Sequence, residues 1–125
     1  MTDTLSPLIH LIDDDEAVRS SLALLIGTVG LRVQTWADPL VFLAPFERQS
    51  IGAIVLDVRM PEMSGLVLQR LLKEQGFSLP IIMLTGHGDV PMAVDAMKAG
   101  AFEFLQKPCR DQALLDSIIA AVSPD

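Results

Sequence analysis

Four places in this sequence carry side chains able to do chemistry together. They are the acidic run Asp13-Asp14-Asp15, the acid Asp57 at the end of an apolar run, the hydroxyl of Thr85 and the amine of Lys107. Three carboxylates in one pocket repel strongly, since two unit charges 4 Å apart interact by about 4 kcal/mol at an effective dielectric near 20. A cation must share such a pocket. An all-oxygen donor set suits Mg²⁺, which takes one or two carboxylates plus a phosphate and keeps several waters. Mn²⁺ would be its substitute. The histidines and the single cysteine are not arranged for zinc. With the charge neutralised, one carboxylate can attack an activated phosphoryl donor and become an aspartyl phosphate. Asp57 is the natural nucleophile, Lys107 would pair with the phosphoryl oxygens as a point charge, and Thr85 would donate a hydrogen bond to one of them.

Residues so far apart in sequence need a fold that unites them. Five short apolar runs alternate with longer stretches at helical spacing, the pattern of repeated βα units and a parallel sheet. Strands are expected at Leu8 to Ile12, Arg32 to Trp36, Ile51 to Leu56, Ile81 to Thr85 and Phe102 to Gln106. The first helix should bury Val18, Leu22, Leu25, Ile26 and Val29 and close at Gly30. Asp38 and Pro39 should open a short second helix that Pro45 cuts off. The third, Gly65 to Gln75, turns Leu66, Leu68, Leu71 and Leu72 inward, with Gly76 as its cap, and the fourth runs from about Val90 to Ala99. The fifth, Asp111 to Val122, should bury Leu114, Leu115, Ile118 and Ile119. Ligands of open α/β sheets bind outside the carboxyl ends of the strands. Those ends carry Asp13 and Asp14, Asp57, Thr85 and Lys107, all on one rim.

At this point the chain resembles the receiver domains of two-component response regulators, from Leu8 to about Val122. The motifs match in order and spacing: the run Asp13-Asp14-Asp15, the stretch Leu56-Asp57-Val58-Arg59-Met60-Pro61 with Gly65 after it, Thr85-Gly86, and Lys107-Pro108. The stretch from Thr85 to Ala101 is similar to the FixJ-type subclass. The resemblance implies an α/β fold, a doubly wound five-stranded parallel sheet of flavodoxin-like order 2-1-3-4-5 with five helices. It implies Asp57 as phosphoacceptor, with Asp14 as a direct Mg²⁺ ligand, Asp13 as a ligand through water, and the Arg59 main-chain carbonyl as another. Thr85 and Phe104 would be a switch pair: Thr85 moves toward the phosphoryl group and the Phe104 ring turns inward, changing the face made by the fourth helix and fifth strand. Gly86 would leave the acceptor open to a donor, His87 would tune access to the phosphoryl group, and Lys107-Pro108 matches a cis-proline turn. The implied partners are a sensor histidine kinase and a second copy bound through that face on phosphorylation. DNA would be contacted only by a helix-turn-helix output domain that these residues do not contain, so residues 1–125 would be the single receiver part of a longer regulator. The chain would catalyse only its own phosphoryl transfer and slow autodephosphorylation.

Composition narrows the field from the other side. The 125 residues carry a formal net charge of −7 and are half apolar, which fits one folded domain and disfavours direct contact with nucleic acid. One cysteine, Cys109, closes no intrachain disulfide. Met1 to Pro7 lacks a cationic stretch before an apolar run, and no apolar run reaches the roughly 18 residues of a membrane span, so a cytoplasmic chain without membrane contact is expected. Taken singly, each site residue has an ordinary explanation. Acids favour the first turn of a helix, threonine follows strands as turn chemistry, and a lone lysine is usually a surface charge. Phe104 at an alternating strand position reads as core, and His87 as a solvated loop residue. Joint placement at strand ends is what points to a site. The alternatives are a Mg²⁺-dependent phosphohydrolase acting through an aspartyl phosphate, which would want a second acid where Arg59 stands, and a binding module that works without phosphorylation.

Overall fold

A computed structural model describes residues 7–43, 51–61, 63–86 and 89–123; the expected stop at Pro45 and the candidate His87 lie outside them. Side chains of a strand alternate between the two faces of its sheet, so apolar residues at both parities demand cover on both sides. The elements supply that cover in strict alternation: β1 (Leu8–Ile12), α1 (Glu16–Gly27), β2 (Arg32–Trp36), α2 (Pro39–Leu43), β3 (Gly52–Asp57), α3 (Gly65–Glu74), β4 (Ile81–Thr85), α4 (Val90–Lys98), β5 (Glu103–Gln106) and α5 (Asp111–Val122). The strands form one sheet in the order β2-β1-β3-β4-β5, every pair parallel. This is the doubly wound, flavodoxin-like order expected. The whole of β3 is buried, as its central position requires.

Two cores lie on opposite faces. Ile54, Leu56 and Met83 pack with Phe42 of α2, Leu68 and Leu72 of α3 and Ala96 of α4. Ala53, Val55, Ile82 and Leu84 pack with Ile26 of α1 and Leu114 and Ile118 of α5. The same alternation sets which side each strand end serves. Asp13 and Asp57 continue the parity of Leu11 and Val55, whereas Thr85 continues that of Met83 and shares a face with Phe104.

Several boundaries differ from expectation for visible reasons. Helix α1 stops at Gly27, where Thr28 Oγ1 donates to the Leu25 carbonyl at 2.6 Å. Val29 therefore falls off the helical register and is exposed, not buried. Ile119 is exposed as well, because one residue beyond Ile118 the helix has turned by about 100° away from the sheet. Strand β3 begins at Gly52, not Ile51, at a close approach to β1: a Cβ on Gly52 would meet the Leu8 carbonyl oxygen at 1.9 Å. Strand β5 begins at Glu103, leaving Phe102 exposed. On α3, Gln69 joins the buried side, where its amide donates to the Ala96 carbonyl at 3.1 Å and links α3 to α4.

Candidate functional site

Asp57 is the last residue of β3, and Asp13 follows β1 by one position. Neighbouring strands in register bring the two ends together. Asp57 is 7% exposed and Asp13 is 1% exposed, so both carboxylates have lost most of their water. Asp14 stays exposed at the rim. One carboxylate oxygen from each of Asp13, Asp14 and Asp57 lies within 4.8 Å of the other two. Lys107, delivered by the end of β5, places its ammonium 3.5 Å from Asp57 Oδ1 and 3.9 Å from Asp13 Oδ2. Its backbone N–H donates to the Thr85 carbonyl at 2.7 Å, which ties the ends of β4 and β5 together, and the Lys107–Pro108 peptide is cis.

Burial dominates the electrostatics. It pushes the Asp57 carboxyl above the usual carboxylate range; Lys107 opposes the shift and Asp13 adds to it. Asp13 is raised for the same reason, against the Asp15 N–H bonded to its Oδ1 at 2.9 Å and against Lys107. Asp13 Oδ2 is buried and accepts no hydrogen bond among the described residues. One ammonium facing three carboxylates leaves negative charge and an unused oxygen lone pair in the same pocket. Hard oxygen donors with an exposed rim for water are the donor set that Mg²⁺ takes. The residues therefore fit this cation.

Thr85, Phe104, Gly86 and Arg59 lie on the neighbouring strands and the loops that follow them. Thr85 is fully buried, and its Oγ1 lies 3.4 Å from the Leu105 carbonyl, to which it donates. Phe104 is half-buried against the face covered by α2, α3 and α4. The Gly86 N–H donates to Asp89 Oδ2 at 3.3 Å. The Arg59 N–H points to Asp57 Oδ1 at 3.4 Å, while its guanidinium takes Asp89 by Nε at 2.8 and 3.0 Å and by Nη2 at 2.7 Å. Each partner favours the other's charged form: Asp89 raises the Arg59 pKa and Arg59 lowers that of Asp89.

Two features take their reason from the structure alone. Gly65 opens α3 directly against the acceptor strand: a Cβ there would stand 2.7 Å from the Asp57 carbonyl oxygen, and the Gly65 N–H donates to the Val58 carbonyl at 2.7 Å. Its place after Asp57 was the available signal, but only the distance explains it. The partnership of Arg59 with Asp89 had no sequence signal, because no local spacing links the two loops.

The family description "Response regulator receiver domain" matches residues 9–119. The chain belongs to this family. It is 50% identical over 122 residues to the response regulator protein TodT of Pseudomonas putida, covering 98% of this chain and 53% of TodT. It is 47% identical over 117 residues to the transcriptional regulatory protein FixJ of Azorhizobium caulinodans, covering 91% of this chain and 54% of FixJ. The crystal structure of full-length FixJ from B. japonicum superposes with a TM-score of 0.88 at 44% identity, over 93% of this chain and 57% of that one. The receiver domain thus spans about half the length of the curated relatives it matches. As a response regulator receiver domain it serves phosphorylation-controlled signalling.

Proposed function

We propose that this receiver domain accepts a phosphoryl group from the histidine of a sensor kinase onto Asp57. A carboxylate oxygen of Asp57 forms the O–P bond as the N–P bond of the donor breaks, and the electron pair stays with the imidazole nitrogen. Asp14, Asp13 through water, Asp57 and the main-chain carbonyl of Arg59 would hold Mg²⁺. When bound, the ion offsets the negative charge of the carboxylates and of the incoming phosphoryl oxygens. Lys107, already 3.5 Å from Asp57, pairs with a phosphoryl oxygen. Thr85 exchanges the Leu105 carbonyl for the phosphoryl group, and the half-buried Phe104 ring turns into the space this opens. Gly86, with no side chain, keeps the approach to Asp57 open, and His87 acts as a modulator of that access. The domain turns over no substrate beyond its own transfer and slow autodephosphorylation.

The observation that carries this reading is the meeting of Asp13, Asp14 and Asp57 with Lys107 at one rim. Phosphohydrolase chemistry through an aspartyl phosphate is disfavoured, since the position two residues after the nucleophile holds Arg59, whose guanidinium is engaged with Asp89. For output we infer a homodimer formed through the α4 and β5 face, where Val90, Val94 and Phe102 are exposed apolar residues. Transcriptional control would belong to a DNA-binding domain outside these residues. A cytoplasmic setting fits, and among the described residues no helix is long and apolar enough to cross a membrane. Intact-mass analysis after incubation with acetyl phosphate and Mg²⁺ tests the acceptor. One phosphoryl adduct that needs both Mg²⁺ and Asp57 is expected, and an adduct that persists in Asp57→Asn overturns the assignment.

A further inference from the structure

The pair formed by Arg59 and Asp89 joins the loop after β3 to the start of α4. Arg59 follows the acceptor by two residues, and its N–H already points to Asp57 Oδ1. Asp89 is the N-cap of α4, yet its side chain makes no capping bond to that helix. Its two oxygens are taken instead by the Arg59 guanidinium and the Gly86 N–H. An N-cap aspartate normally accepts from the backbone of the first turn, so the pair withholds a capping group from α4. Asp89 is buried, with its side chain 3% exposed, whereas the Arg59 side chain is 72% exposed.

We propose that the ion pair between Arg59 and Asp89 is a latch that holds the start of α4 in the unphosphorylated arrangement and is released when the acceptor is loaded. The proposal rests on the receiver reading of Asp57. Two pulls act on the same pair. A phosphoryl group on Asp57 brings nearly two negative charges close to the Arg59 backbone, and the solvent-exposed guanidinium two residues away is drawn to them. Movement of Thr85 toward that group carries Gly86 with it and withdraws the N–H now bonded to Asp89. A contact made only in the resting state opposes loading by its own strength.

The test is the affinity for beryllofluoride, a phosphoryl mimic, at saturating Mg²⁺, followed by the fluorescence of Trp36, the chain's single tryptophan. Asp89→Ala removes the latch and should bind the mimic about fivefold more tightly, the strength expected of a well-aligned ion pair with one partner in solvent. The same substitution made on Arg59→Ala should change the affinity by less than about twofold, because no latch remains to remove. A purely structural pair would lower the melting temperature of Asp89→Ala without tightening the mimic, and that result overturns the latch. Equal tightening in both backgrounds also overturns it, by showing that the charge of Asp89 acts alone. If the parent binds no mimic beyond an Asp57→Asn blank, the acceptor reading fails and the latch with it. If the parent binds and Asp89→Ala matches it, the latch alone fails.

Discussion

Replacing Asp57 by Asn should make the metal-free domain more stable, the reverse of what removing a buried, ion-paired group usually does. The Asp57 carboxylate lies within 4.8 Å of an Asp13 oxygen, a repulsion of about 3.5 kcal/mol at an effective dielectric of 20. Lys107 at 3.5 Å returns about 4.7 kcal/mol on the same scale, reduced by its partial exposure to solvent. These contributions nearly cancel, which leaves burial of the carboxylate to decide the sign. Burial is the leading cause of the raised Asp57 pKa, so ionising this group costs stability once the pH exceeds its folded-state pKa. A neutral amide of the same shape escapes that cost, and the expected gain is about 1–2 kcal/mol, or roughly 4–8 °C in melting temperature. Urea unfolding at pH 7 in EDTA measures it. The same titration with Mg²⁺ at 100 times its dissociation constant should stabilise the parent by about 2.7 kcal/mol and the variant by much less. An Asp57→Asn domain less stable than the parent in EDTA, or equally stabilised by Mg²⁺, would refute the balance of forces drawn here.

Gly65→Ala puts a Cβ 2.7 Å from the Asp57 carbonyl oxygen, so it should cost about 1–3 kcal/mol and weaken Mg²⁺ binding together, as urea unfolding and metal titration would report. Ile118→Ala empties part of the core beneath α5 and should cost about 2–5 kcal/mol with an unchanged denaturant slope and unaltered Mg²⁺ affinity. His10 is buried and its pKa is lowered by desolvation, while its Nδ1 accepts the Trp36 indole N–H at 3.2 Å. The unfolded chain therefore takes up a proton near pH 6.5 that the folded chain refuses, and stability should fall as pH drops from about 7 toward 5.5. The slope of unfolding free energy against pH across that window should flatten in His10→Asn. Lys107→Ala should leave the fold intact but abolish the Mg²⁺-dependent adduct with acetyl phosphate or slow it by at least about tenfold, as intact mass would show.

What the sequence determined by itself is the set of elements and the rim they share. An almost wholly apolar run ending in Asp57, set among alternating helical stretches, reads as a strand covered on both faces, and such a strand belongs near the middle of a parallel sheet. Acids, a hydroxyl and an amine at the ends of other strands then fall on the same edge. Chain order and period suffice for this, because each is a local property of the backbone. The tertiary structure decided everything that depends on separation in space. Gln69 is buried because α4 offers it a carbonyl, and Val29 is exposed because α1 unwinds before it. The glycine at 65 is required by a carbonyl on another element, and Arg59 meets Asp89 across two loops. The raised pKa values of Asp13 and Asp57 also arise here, since desolvation depends on what covers a group rather than on its neighbours in the chain. Periodicity tells which face a residue occupies, and only the packed fold sets how near its partners stand and how much water is left between them.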